Sequence, residues 1–380
     1  MMDTYILLHR FPGKISLVLF LLSLLWPGIA VAASGNPAAV DGEPSRPCYA
    51  MVVEYDVPVT LRDGTTVAVD IYRPKASGRF PVLLEGSAYD KRCSTDIRMS
   101  THTFFVPRGY VVIIWNVRGR FKSGGSFDMA ALPGNDGWDM VEWAARQPWS
   151  NGKIGLVGKS YSGQILLHTA AARPPHLVCA MSALTGSDAW QWYYRGGAME
   201  FGFSLYWGTV ILGWDLAEKT LGNTPALQRW KNLLEMYLAD QQTFADVIPL
   251  LDFKPAQIAP GVNLFATWAS HPTADAYWKR LSPSSYFSRI EIPILHIGGW
   301  YDIFLDGTLN AFQELRQRAG APLARRNQRL LLGPWHHSVP SYHGTRIGSV
   351  DYGPGLNQPG FNMMRLAFAD YWLKDTRTPL

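Results

Sequence analysis

The sequence predicts an α/β fold: a mostly parallel central sheet with helices on both faces, interrupted by an inserted helical segment. Three observations predict it. Short apolar runs alternate with segments of helical period from about residue 50 to residue 186. The alternation stops for about a hundred residues, which carry helical patterns and few strand signals, and then resumes near Ile292. The 380 residues are nearly half hydrophobic and 17% charged, which suits a large buried core and not a disordered chain.

Taken in order, "AMVVEYDVPVTLRDGTTVAVDIYRP" from Ala50 holds two alternating runs around Arg62-Asp63-Gly64, a hairpin signature with an Asp-Gly turn. "FPVLLEG" and "GYVVIIWNV" are short and almost wholly apolar, as strands buried on both faces are. "NDGWDMVEWAARQ" opens on the capping residues Asn135 and Asp136 and has helical spacing. "IGLVG" then reads as a strand and "GQILLHTAAAR" as the helix behind it. Within the interruption, "TPALQRWKNLLEMYLADQQ" reads as helix. Beyond it come the strand "IPILHIGG", a helix at "DGTLNAFQELRQR", the strand "QRLLLG" and a last helical pattern from Met363 to Lys374. The expected division is a fold over 46–187 and 287–380 with an insertion at 188–286.

The N-terminus places His9, Arg10 and Lys14 before the apolar run Ile15–Trp26 and ends it at Ala30-Val31-Ala32, the layout of a secretory signal cleaved after Ala32. Residues 1–32 are therefore expected to be a signal peptide, and the mature protein to be exported, periplasmic or secreted, without a membrane anchor; the alternative is an uncleaved membrane anchor, against which the run is shorter than the ~20 residues a spanning helix needs. Three cysteines in so long a chain are no disulfide framework, although Cys48 and Cys93 are candidates for one pair in an oxidising compartment. Cys179 lies in the apolar run "LVCAM" and reads as a buried small residue. The net charge of +5 is scattered, which argues against nucleic-acid binding. Neither C-x-x-C nor H-E-x-x-H is present, and the sequence implies no metal and no cofactor.

Chemistry concentrates at "VGKSYSG", Val157 to Gly163. A phosphate-binding loop would need glycine at position 153, where Lys153 stands, and the intervening residues read as the strand itself. A nucleophilic serine on a strained strand-to-helix turn, as in α/β-hydrolases, fits better; the alternative is an unreactive turn. Gly158 stands two residues before Ser160, although the following glycine, Gly163, comes one position late. Ser162 is the weaker candidate, because Ser160 would then fill the preceding glycine position. An acid and a histidine must follow in that order. Asp302 lies just beyond a strand, with Asp306 further into the next turn, and the loop after the following strand offers His336 and His337.

These segments resemble the CocE/NonD group of serine hydrolases, which includes cocaine esterase and X-prolyl dipeptidyl peptidases. "GKSYSG" matches that family's G-x-S-Y-x-G with its late glycine, and "PVLLEGSAYDKR", "GYVVIIWNVRGRFKSGGSF", "HPTADAYWKRLSP", "HIGGWYD" and "GPWHHS" match in order, over about 52–374. The resemblance implies an α/β-hydrolase fold with a helical cap formed by the insertion. It implies Ser160 as nucleophile, Asp302 as acid and His337 as base, with the Tyr161 N–H and the Tyr89 hydroxyl forming an oxyanion hole. It implies small ester, amide or short peptide substrates. Within the insertion, Trp190, Trp192, Tyr193, Phe201 and Trp207 are candidates for an apolar acyl pocket, with plain core packing as the alternative. A peptidase reading a free N-terminal amine needs carboxylates near the nucleophile; Glu200 and Asp275 are the candidates, and neither adjoins Ser160 in sequence. The family also implies a β-sandwich after the "DYWLK" helix, and the expectation for a chain ending at Leu380 is that it lacks one.

Overall fold

The computed structural model describes residues 43–92, 101–129, 133–240, 252, 264–337, 345–353 and 359–376. The chain divides into a unit of Met1–Ala38, outside the described residues, and a second unit from Ala39 to Leu380. The expected signal segment and Cys93 thus lie outside the described residues, while Cys48 carries a free, exposed thiol.

The second unit is built on an eight-stranded sheet. Its strands are β1 (Met51–Thr60), β2 (Thr66–Pro74), β3 (Phe80–Ser87), β4 (Val111–Asn116), β5 (Ser150–Lys159) and β6 (Leu177–Ala183). After the two-residue strands β7 (Tyr194–Arg195) and β8 (Ala198–Met199), which pair only with each other, come β9 (Ile294–Gly299) and β10 (Arg329–Gly333). The spatial order is β1-β2-β4-β3-β5-β6-β9-β10, antiparallel at β1-β2 and β2-β4 and parallel from β4 onward. β3 and β4 are buried along their whole length, which is why neither alternates in sequence. The α/β fold read from the sequence is the observed one.

Helix α1 (Thr101–Phe105) precedes β4, and helix α2 (Pro133–Ala145) begins before its expected Asn135-Asp136 cap. Proline suits the first helical position, where its missing N–H costs nothing, so the helix starts there. Asp136 falls in the first turn instead, buried, with two carboxylate oxygens each 2.6 Å from the Arg118 guanidinium. Helix α3 (Tyr161–Ala171) also starts early, directly after Ser160, and every residue in it is buried. Between β6 and β9 the chain is mainly helical, including the expected helix, here Pro225–Ala239, capped by Thr224. Leu305–Arg318 and Pro359–Leu373 are helices that follow β9 and β10. No helix among the described residues is long and apolar enough to cross a membrane.

Candidate active site

β5 ends at Lys159 and α3 begins at Tyr161, leaving Ser160 alone to make the turn. It does so at φ 58° and ψ −127°, a conformation that costs a non-glycine residue about 1–3 kcal/mol and persists only when its surroundings enforce it. The surroundings are visible. The Ser160 N–H donates to the Ala183 carbonyl (2.9 Å), and its own carbonyl accepts from the Thr185 hydroxyl (2.8 Å). A Cβ on Gly158 would lie 2.4 Å from the Ser162 carbonyl oxygen, and one on Gly163 would lie 2.8 Å from Thr185 Cβ. The late glycine of the motif is thus required by the close pass of Thr185.

Two further turns bring their side chains to this serine. The turn after β9 places Asp302, with its N–H donating to the Gly299 carbonyl (3.0 Å); the turn after β10 places His337. The two turns are tied by the Trp300 N–H to the Gly333 carbonyl (2.9 Å) and the Tyr301 N–H to the Trp335 carbonyl (3.0 Å). They approach so closely that a Cβ on Gly299 would stand 2.2 Å from the Trp335 carbonyl oxygen. The result is a continuous chain: His337 Nε2 is 3.0 Å from Ser160 Oγ, and His337 Nδ1 is 2.6 Å from Asp302 Oδ1. The Asp302 carboxylate is buried and the imidazole about one-third exposed. A carboxylate at Nδ1 fixes the proton there and turns Nε2, as a base, toward the hydroxyl.

The neighbouring candidates are not part of that chain. Ser162 is buried in α3, and Asp306 lies in the first turn of the helix Leu305–Arg318. His336 is pushed toward the neutral form, first by burial and then by the nearby Lys159 ammonium and His337. His168 and His296 are buried and pushed down to about 4 by desolvation; they bond the Leu281 carbonyl and Gln328 respectively and are structural.

Tyr89 follows β3 in a loop fixed by Asn116 Nδ2 donating to its carbonyl (2.6 Å) and by Ser87 Oγ, which also bonds that carbonyl (3.0 Å). Its hydroxyl accepts a hydrogen bond from Trp207 Nε1 at 3.3 Å. The Tyr161 N–H is the first of α3, a position without an intrahelical acceptor. Of the five pocket candidates, Trp207 lies 5.7 Å from the Tyr161 ring, and Tyr193 stacks 4.1 Å from Trp268, itself stacked on Trp207. Trp192 packs on Phe304 (4.7 Å), whose ring meets the His337 imidazole edge to face at 5.2 Å. Trp190 and Phe201 are not brought into this layer: Trp190 stacks on Tyr194 and bonds the Pro272 carbonyl, and Phe201 packs on Phe265. Sequence reasoning missed Phe304 and Phe203, which lie 5.8 Å apart. The signal available was Phe304's position two residues after Asp302. Among the described residues no cluster of three His, Cys, Asp or Glu side chains is placed to hold a metal ion.

The two carboxylates considered for amine recognition are engaged elsewhere. Asp275 caps the helix Ala276–Leu281 through the Tyr277 and Trp278 N–H groups and bonds His271 at 2.6 Å, and Glu200 pairs with Arg195 at 3.0 Å.

Comparison with known proteins adds relatives to this geometry. Residues 63–339 match the X-Pro dipeptidyl-peptidase (S15) family. Over 295 residues the chain is 30% identical to a cocaine esterase from Rhodococcus sp. (strain MB1 Bresler), an overlap of 75% of this chain and 49% of the relative. Two solved structures share the fold. A CocE/NonD family hydrolase from Staphylococcus aureus superposes with a TM-score of 0.60 at 23% identity, over 86% of this chain and 51% of the other. An α-amino acid ester hydrolase superposes with a TM-score of 0.62 at 20% identity, over 92% of this chain and 58% of the other. The chain spans about half the length of the curated relatives it matches.

Proposed function

The chain belongs to the X-Pro dipeptidyl-peptidase (S15) family, and from that premise we propose that it is an exported serine hydrolase that cleaves ester bonds of small acyl substrates through Ser160, His337 and Asp302. The observation that carries the reading is the unbroken hydrogen-bond chain Ser160–His337–Asp302 at 3.0 and 2.6 Å, with its serine held at positive φ.

The chemistry follows from the positions. His337 Nε2 removes the hydroxyl proton as Ser160 Oγ attacks the substrate carbonyl carbon. Asp302 holds the imidazole in the productive tautomer and offsets the charge of the imidazolium that forms. Negative charge on the former carbonyl oxygen is met by the Tyr161 N–H and the Tyr89 hydroxyl. The imidazolium then gives its proton to the departing alkoxide, leaving an acyl-serine. Water, deprotonated by the same nitrogen, attacks the acyl-serine, and the acid leaves as Ser160 regains its proton.

Esters are favoured over N-terminal dipeptides because the two carboxylates considered for a substrate ammonium are already paired, Asp275 with His271 and Glu200 with Arg195. The family's own description supports the second reading, release of X-Pro dipeptides. A panel of p-nitrophenyl esters, anilides and X-Pro anilides separates them: the proposal requires turnover of short esters well above that of X-Pro anilides, and the reverse ranking overturns the ester preference. Export rests on the basic and apolar N-terminus; a mature protein that begins at Ala33 supports it, and one that retains Met1 opposes it.

A further inference from the structure

Trp207 contacts the side chains of both residues whose donors are assigned to the oxyanion, Tyr161 and Tyr89. Its ring lies 5.7 Å from the Tyr161 ring, and its indole N–H donates to the Tyr89 hydroxyl at 3.3 Å. The direction of that bond is fixed by chemistry, because an indole N–H donates and cannot accept. The Tyr89 oxygen therefore accepts in this bond and keeps its own proton to donate.

The indole is itself held in one orientation. It stacks on Phe203 at an interplanar angle of 8° and on Trp268 at 15°. A Cβ on the next residue, Gly208, would stand 2.8 Å from the Trp268 ring, so glycine is what lets that ring close on Trp207. The backbone here is a π-helical turn, Tyr206–Ile211, closed by the Leu212 N–H on the Trp207 carbonyl (2.9 Å). Such turns are rare and recur at functional sites. Arg120, wholly buried, ties the turn to the Tyr89 loop: its Nε donates to the Ala88 carbonyl (2.8 Å) and its Nη1 to the Leu212 carbonyl (2.6 Å).

We propose that Trp207 is a positioning residue for catalysis, its indole N–H orienting the Tyr89 hydroxyl so that the phenol proton points at the oxyanion. The inference rests on the oxyanion role given to Tyr89 above. A donor fixed before the reaction does not have to be turned toward the developing charge, which is where such sites gain their effect. Trp207 acts through Tyr89, so its contribution disappears when the phenol is gone.

The test is a double-mutant cycle on p-nitrophenyl acetate hydrolysis by the full chain, with Tyr89→Phe, Trp207→Phe and the pair. Tyr89→Phe lowers kcat by about 10²-fold or more, the usual loss for one oxyanion donor. Trp207→Phe, which keeps a stacking ring, lowers kcat by about tenfold with little change in KM, and in the Tyr89→Phe background lowers it less than about twofold. Equal losses in both backgrounds, or no loss from Trp207→Phe alone, overturn the positioning role while leaving the oxyanion role of Tyr89 intact. No loss from Tyr89→Phe overturns the oxyanion role and this inference with it, whereas labelling of Ser160 by a fluorophosphonate reports the nucleophile independently. Should Trp207→Phe not fold, replacing Trp207 with 3-benzothienylalanine exchanges the N–H for sulfur while keeping the fused ring, and must give the same result.

Discussion

His337 Nε2 lies 3.0 Å from Ser160 Oγ although 177 positions separate the two residues. That distance depends on how tightly the turns after β9 and β10 interlock, and the tightest point is Gly299 against the Trp335 carbonyl. Gly299→Ala would place a methyl 2.2 Å from that oxygen. The expected outcome is a stability loss of about 1–3 kcal/mol, as for other overpacked sites. A fall in kcat of about 10²-fold is expected with it, because a shift of about 1 Å in a catalytic group has that effect. Thermal denaturation and steady-state kinetics on the same preparation measure both; an unperturbed kcat would show that the interlock does not set the histidine.

Asp302→Asn keeps the size of the side chain and removes its charge. The amide can present its NH₂ to His337 Nδ1, which then accepts and leaves the proton on Nε2, where the base is needed. The expected kcat is lower by about 10⁴-fold with KM nearly unchanged. A loss confined to KM would place Asp302 in substrate binding instead.

The adjacent histidines separate by environment. His336 is disfavoured as a cation by burial and by Lys159, and the hydrogen-bond chain runs through its neighbour. His337→Gln is expected to cost at least about 10³-fold in kcat, and His336→Gln less than about tenfold. The kinetics of the two single variants decide this, and a greater loss at His336 would reverse the assignment of the base.

Acid sensitivity is expected from the two buried histidines outside this chain of bonds, His168 and His296. His296 is buried in β9, bonded to Gln328, and desolvation pushes it down to about 4. Its pKa in the unfolded chain is near 6.5, so above that pH neither state holds the proton. Between about 6.5 and 4 unfolding takes up a proton, and stability falls with pH by about 1.4 kcal/mol per unit from this residue; below 4 the loss is complete. Urea midpoints measured from pH 7 to pH 4 should show His296→Gln with a shallower slope than the parent, whatever its absolute stability. Parallel slopes would show that His296 does not contribute.

Much of this was legible in the sequence, for identifiable reasons. The strands β3 and β4 are buried on both faces and so are continuous apolar runs, and the Ser160 turn is flanked by glycines because Ser162 and Thr185 leave no room for side chains. The start of α2 was misplaced because Asp136, a capping residue by type, is drawn instead into a buried pair with Arg118. The aromatic layer was only partly legible. A stripe of Trp, Tyr and Phe in an insertion has the same composition whether it lines a site or fills a core; Trp207 and Phe201 are six residues apart yet face different neighbours. Phe304 reaches His337 from outside that stripe, and Trp207 reaches Tyr89 across 118 positions, so neither contact leaves a local pattern.

If Ser160 is a nucleophile activated by His337, a fluorophosphonate probe attaches to it. The probe is expected to modify Ser160 in the wild-type chain, with the site located by peptide mass spectrometry. Modification and p-nitrophenyl ester turnover are both expected to be lost in Ser160→Ala. A wild-type chain that resists the probe, or a Ser160→Ala variant that keeps its ester turnover, would contradict that role of Ser160.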